Sequence, residues 1–196
     1  MATPRPARRP PPGAALHVAL LRGINVGGRN RLAMADLAAA FAAEGCSEVR
    51  TYIQSGNVLF LAPAARVAAV AVAVEGAIAG RFGFRTPVVI RSAAELARVA
   101  RANPFLLAGA DPATLHVAFL AGPPDAGRVA ALDPRRSPPD AFAVRGREVY
   151  LHLPNGVARS RLTNAWLDAA LGTISTVRNW RTVLELLARS SAAPAR

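Results

Sequence analysis

HVALLRGINVGGRNRLAMADLAAAFAAEGCSEVRTYIQSGNVLFLA, residues 17–62, decides the fold, because its hydrophobic pattern changes period along its length. HVALLRGI (17–24) reads as a strand, apolar without a break from Val18 to Leu21. Met34, Leu37 and Phe41 then fall on one helical face, and Gly45 can stop that helix. EVRTYIQ (48–54) and NVLFLA (57–62) read as strands, joined by a tight turn at Ser55-Gly56. The stretch therefore spells strand, helix, strand, strand.

Further along the chain, Val67, Val70, Val74, Ile78 and Phe82 form the stripe of a second helix, and TPVVIRS (86–92) is a strand. Ser92 with Glu95 has the spacing of a capping box for a third helix that ends near Asn103-Pro104. The second half repeats this order less clearly. LHVAFLA (115–121) is a strand, 124–132 a weak helix, and AFAVR (141–145) and EVYLHL (148–153) are strands around Arg145-Gly146-Arg147. Leu162, Trp166 and Ala170 predict another helix, and TISTV (173–177) a strand. Val183, Leu184 and Leu187 mark a last helix capped by Asn179.

Each half thus reads β-α-β-β-α-β. The expected fold class is α+β, with two ferredoxin-like (split β-α-β) halves in tandem and an added C-terminal helix. The first half with its trailing helix is expected over 16–106, and the second, with the C-terminal helix, over 107–189. Residues 1–15 (MATPRPARRPPPGAA) hold five prolines and three arginines, which predicts a disordered arm. SSAAPAR (190–196) is expected to be a disordered tail. The halves share little sequence, so duplication is inferred from element order alone.

Composition narrows the function classes. The longest apolar run, Val67 to Val74, is far too short to span a bilayer, so no membrane partner is expected. No segment has the build of a secretory signal. The only cysteine, Cys46, cannot form an intramolecular disulfide, which fits a reducing cytoplasm. The net charge is +12 and all 24 basic residues are arginine. Such a surface attracts nucleic acid, phosphorylated metabolites or anionic membranes. A chain rich in Ala, Arg, Gly and Pro and lacking lysine also fits codon bias, and a merely solvated basic surface is the plainer reading.

Topology places the unusual residues. In a split β-α-β sheet the first and second strands run parallel, so the exit of the first lies beside the hairpin joining the second and third. RGINVGGRNR (22–31) should therefore meet QSGN (54–57), and by the same logic LPNGVARSR (153–161) should meet VRNW (177–180). The glycine loop lacks the endings of a P-loop and of a dinucleotide fingerprint. Its backbone N–H groups, with Arg22, Arg29 and Arg31, could hold an anion, or its glycines could simply let the chain turn. For SGN (55–57) and PNG (154–156), turn chemistry is the plainer account.

The expected ligand-binding residues are Arg22, Asn25, Gly27, Gly28, Gln54, Ser55 and Asn57 in one patch. Asn155, Ser160, Arg161, Arg178 and Asn179 form the second, with Arg181 nearby and Trp180 as a core anchor. His17, His116 and His152 fall far apart in strands without ligand-spaced carboxylates, so no metal or other cofactor is expected. No nucleophile elbow or Cys/His signature is present, and none of the twelve acids lies in the four polar segments, so no catalytic residue is assigned. The leading expectation is a binding protein for a phosphorylated or other anionic ligand, a small molecule or nucleic acid. The alternatives are a metal-free enzyme acting on a phosphorylated substrate and a structural or assembly protein.

ALLRGINVGGRNRLAMADL (19–37) and VRTYIQSGNVLF (49–60) closely resemble an uncharacterised bacterial family, domain of unknown function 1697. The resemblance continues through VVIRSAAEL (88–96), NPF (103–105), YLHLPNG (150–156), RSRLTN (159–164) and TVRNWRTV (176–183). It implies an α+β fold and no established activity. The family's usual lysines in the stretches matching GGRN and SRLTN are here Arg29 and Arg161. Arginine keeps an anion contact but cannot form a Schiff base.

Overall fold

Eight strands and seven helices follow one another along residues 12–191, the part of the chain that the computed structural model describes. Among the described residues two compact units are present, one reaching to Ala93 and taking in Ser190 and Ser191, the other Ala94–Arg189. Each is α+β and contains one four-stranded antiparallel sheet.

In the first unit the order is β1 (Ala14–Leu21), α1 (Met34–Ala43), β2 (Ser47–Tyr52), β3 (Asn57–Pro63), α2 (Val67–Phe82) and β4 (Val88–Ser92). The strands lie in the order β2-β3-β1-β4. Both β1 and β2 run antiparallel to β3, hence parallel to each other. β1 is central and buried along Val18–Leu21, which accounts for its unbroken apolar reading. Leu37 and Phe41 of α1, one turn apart, and Val70, Val74 and Ile78 of α2 pack with Leu21, Val58 and Phe60 of the sheet. The Phe41 and Phe60 rings sit 5.0 Å apart.

Gly45 and Gly83 end the two helices in the left-handed region, with φ 80° and 75°. Strand β1 begins earlier than predicted. Ala14 and Ala15, assigned by composition to the N-terminal arm, pair with Pro63 and Ala62. The rest of that arm as far as residue 11, and the tail from 192 onward, lie outside the described residues. Ser190 and Ser191, predicted to belong to the tail, are the last residues of the C-terminal helix.

The second unit holds α3 (Ala93–Arg101), α4 (Pro104–Leu107), β5 (Leu115–Leu120), α5 (Ala126–Ala130), β6 (Ala141–Arg145), β7 (Glu148–His152), α6 (Asn164–Leu171), β8 (Ser175–Asn179) and α7 (Trp180–Ser191). Its sheet order, β6-β7-β5-β8, matches that of the first unit. Ala118, Leu120, Val149 and Leu151 meet Leu167 and Leu171 of α6. The Tyr150 hydroxyl of β7 donates to the Val99 carbonyl of α3 at 3.2 Å. That bond ties α3 to the second sheet, and Val99 and Tyr150 both lie in the unit Ala94–Arg189.

Three readings shift by a residue or two. In α6 the buried positions are Leu167 and Leu171, one residue beyond the predicted stripe. In α7 Trp180, Val183 and Leu186 are buried, whereas Leu184 is exposed. The strand predicted at 173–177 lies at Ser175–Asn179. Asp168 explains the last shift, because its Oδ1 accepts from the Ser175 backbone at 2.7 Å and from the Ser175 hydroxyl at 2.6 Å. Pairing with β5 therefore starts at Ser175 opposite Leu120. Asn179 caps α7, its Oδ1 accepting from Thr182 N at 2.8 Å. Among the described residues, no helix is long and apolar enough to cross a membrane.

His116 gives the second unit a pH dependence. It is buried in β5 beside the Thr114 carbonyl, and burial lowers its pKa below 6.5, more than that hydrogen bond raises it. The unfolded chain then binds a proton at His116 more readily than the folded one, so stability is lost as pH falls below about 6.5. Thermal unfolding of the wild type should show this slope between about pH 7 and about pH 5. His116→Gln should flatten that slope, and an unchanged slope would place its origin elsewhere.

Candidate functional site

The exit of β1 and the β2-β3 turn are locked together by backbone and side-chain bonds. Leu21 N donates to the Gly56 carbonyl at 2.8 Å. Beyond it, Arg22 N donates to Pro87 O, and the Thr86 hydroxyl donates to the Arg22 carbonyl at 2.8 Å. The glycine loop then folds into a small hairpin. Asn25 N donates to Asn30 O at 3.1 Å and Arg29 N to Val26 O at 3.0 Å. Gly27 and Gly28 occupy the two central turn positions with φ 57° and 76°, the all-positive pattern of a type I′ turn. A Cβ on either would meet nothing within 4 Å, so the left-handed backbone, not crowding, calls for glycine there.

Asn25 is the staple of this region. Its Oδ1 accepts from Leu32 N, and its Nδ2 donates to the carbonyls of Leu32 and Gln54, each at 2.9 Å. One side chain thus joins the loop hairpin, the approach to α1 and the β2-β3 turn. Asn57 closes that turn from a fully buried position, its Nδ2 donating to Tyr52 O and Ser55 Oγ, both at 3.1 Å. The segments 22–31 and 54–57 therefore lie side by side.

An open cavity of about 540 Å³ lies against this junction. Asn25, Gly28 and Gln54 line it with polar groups, and Leu32, Ala33 and Phe82 add apolar wall. Arg31 also lines it, exposed, and has no hydrogen bond or ion pair among the described residues. The acid present, Asp36, is held at 2.8 Å by Arg81, whose guanidinium also lies 5.1 Å from the centre of the Phe82 ring. Ala33 is the N-cap of α1 and provides no side-chain cap. The first-turn N–H groups of that helix therefore begin at the cavity wall, where they favour negative charge.

Of the seven residues expected in this patch, Asn25, Gly28 and Gln54 line the cavity, and Gly27 stands beside Gly28 at the turn. Arg22, Ser55 and Asn57 hold the surrounding backbone. Arg31, Leu32, Ala33, Asp36 and Phe82 are wall residues absent from the expected set. Phe82 reads in sequence as the end of a core stripe, and only the following Gly83, which stops α2, marks it as a helix-end residue.

The second patch is assembled differently from expectation. β7 and β8 do finish at one end of the sheet, where His152 faces Leu115 and Asn179 faces His116. The shift of β8 nevertheless puts Arg178 inside the strand. It is 8% exposed, its Nη1 donates to Thr176 Oγ1 and to Val177 O at 2.9 Å, and burial lowers its pKa to about 10. Asn179 is engaged in capping α7. Ser160 Oγ accepts from Leu162 N, and Arg161 N donates to Ser137 Oγ. The side chains of Asn155 and Arg161 remain exposed.

Residues 15–150 match the profile of a family described as Protein of unknown function (DUF1697). A conserved bacterial protein from Streptococcus pneumoniae shares the fold, with a TM-score of 0.72 at 19% identity, covering 91% of this chain and 99% of that one. No curated protein matches the chain.

Proposed function

The chain belongs to the DUF1697 family of proteins of unknown function, and for this member we propose a binding protein for a phosphorylated or otherwise anionic small molecule. The observation that carries this reading is the convergence on one cavity of the uncapped start of α1 and of Arg31, which has no partner among the described residues. Both favour oxygen anions, and the Asn25 bonds hold the surrounding backbone in place before a ligand arrives. Leu32, Ala33 and Phe82 provide room for a non-polar body beside the charged group, which favours a small organic phosphate over a bare ion.

Thermal unfolding against nucleotides, sugar phosphates and short RNA and DNA strands, at low and moderate salt, tests this. A ligand at about one hundred times its dissociation constant should stabilise the fold by roughly 2.7 kcal/mol. Arg31→Gln should weaken binding about tenfold or more, and Arg85→Gln, an exposed control in the same unit, should leave it unchanged. Equal weakening by both would mean diffuse charge and no site. Stabilisation by nucleic acid alone, lost as salt rises, would replace the small molecule with a polyanion.

An assembly role is the second reading. Val26 and Ile53 are 63% and 49% exposed, one in the loop hairpin and the other in the β2-β3 turn. Strand order supports a finer description of the fold. Order β2-β3-β1-β4 with a helix after β1 and another after β3 supports a ferredoxin-like half, and β6-β7-β5-β8 supports the same for the second unit. A cytoplasmic location accords with the single thiol, Cys46, which burial pushes up to about 11.

A further inference from the structure

The second unit has a cavity of its own, of about 280 Å³, between α3 and the β6-β7 hairpin. Arg145 and Glu148 face each other at the strand ends, and Gly146 and Arg147 make the two-residue turn. Gly146 has φ 60°, as the first position of a type II′ turn requires. Arg147 donates to Glu95 of α3, which fixes the hairpin against the helix. Tyr150 also lines the cavity, and its hydroxyl is held by Val99 O. Burial pushes its phenol up to about 12, with Glu148 adding and Arg145 opposing, so the group stays neutral at physiological pH.

Cationic side chains reach the cavity from both walls. Arg98 comes from α3 and Arg145 from the hairpin, and both are exposed. Neither guanidinium has a hydrogen bond or ion pair among the described residues. Arg147 is matched by Glu95, so three guanidinium groups face two carboxylates and the lining keeps a positive excess. Planar guanidinium forks suit carboxylate and phosphate oxygens. The volume, near the lower end of small-ligand sites at roughly 300 Å³, suits a small molecule.

We propose that this cavity is a ligand site of the second unit, taking a small molecule with carboxylate or phosphate oxygens between Arg98 and Arg145. Glu95 and Arg147 are positioning residues that set the distance between the two walls. The site does not depend on the one in the first unit.

Amide NMR of the full chain, titrated with inorganic phosphate and separately with succinate at constant ionic strength, tests the proposal. The Gly146 and Arg147 signals should shift saturably with at least one probe, and the probe that works names the oxyanion. Arg98→Gln combined with Arg145→Gln should weaken that binding about tenfold or more, with the Trp180 indole signal reporting an intact fold. Arg31→Gln should leave the Gly146 and Arg147 shifts unchanged. Shifts that never saturate, wild-type affinity in the double variant, or loss of the Gly146 and Arg147 shifts in Arg31→Gln would each overturn the proposal.

Discussion

Gly56→Ala should destabilise the protein by about 2–4 kcal/mol, the sum of a backbone penalty and a steric one. Gly56 sits at φ 77°, where an L side chain is strained by about 1–2 kcal/mol. A Cβ there would also stand 2.8 Å from Leu21 Cβ and from Ile24 Cδ1. Both neighbours are fully buried in the first core, so neither can step aside without disturbing packing. The Gly56 carbonyl meanwhile accepts from Leu21 N, and any backbone shift that relieves the clash stretches that bond. Gly28→Ala is the matched control, since Gly28 has φ 76° but open space around its missing Cβ. Urea unfolding of the two variants should differ by the steric part, about 1–3 kcal/mol. Equal losses would mean that the β1 exit and the hairpin turn do not press on each other.

Much of the first unit is legible in sequence because each apolar choice there has one answer. Val18 to Leu21 read as a buried strand beside a glycine turn, and Leu37 with Phe41 share one face of α1, and all of them are buried in the core. Ser55-Gly56 between two strand patterns fixes a hairpin, and a strand, helix, strand order then brings the β1 exit to it. What sequence leaves open is which partner an amphipathic element chooses. Leu96 and Val99 of α3 would suit either sheet, and the Tyr150–Val99 and Arg147–Glu95 bonds reveal the second. The position of β8 is similar. TISTVRN has strand character at several offsets, and the choice is made by Asp168, seven residues from Ser175. That offset decides whether Arg178 is a surface cation or a buried strand residue, so an arginine that composition made look available is enclosed. Polar loops are ambiguous for a related reason. The residue types that bind ligands also make turns, and the partners of Asn25 are backbone atoms that carry no sequence signature.

Asn25→Ala should also destabilise the protein by about 2–4 kcal/mol, and it should separate what this side chain does for the fold from what it does for the cavity. Three hydrogen bonds are lost at once, and Leu32 N, Leu32 O and Gln54 O each lose a partner. Asn25 also holds φ 53°, a conformation that asparagine tolerates and alanine does not. Asn25→Gly relieves the second effect and keeps the first, so it should be less destabilised than Asn25→Ala by about 1–2 kcal/mol. Asn25→Asp keeps the acceptor for Leu32 N but loses both donated bonds, and it adds a negative charge to the lining of the cavity that Arg31 shares. Its stability loss should be intermediate, whereas its affinity for an organic phosphate should fall further than that of Asn25→Gly. Thermal unfolding gives the stability order, and calorimetric titration of the same three variants gives the affinity order. If the affinities simply follow the stabilities, Asn25 acts only as a staple and the anion lies elsewhere. If Asn25→Asp falls out of that order, the charge of the ligand is felt at this cavity.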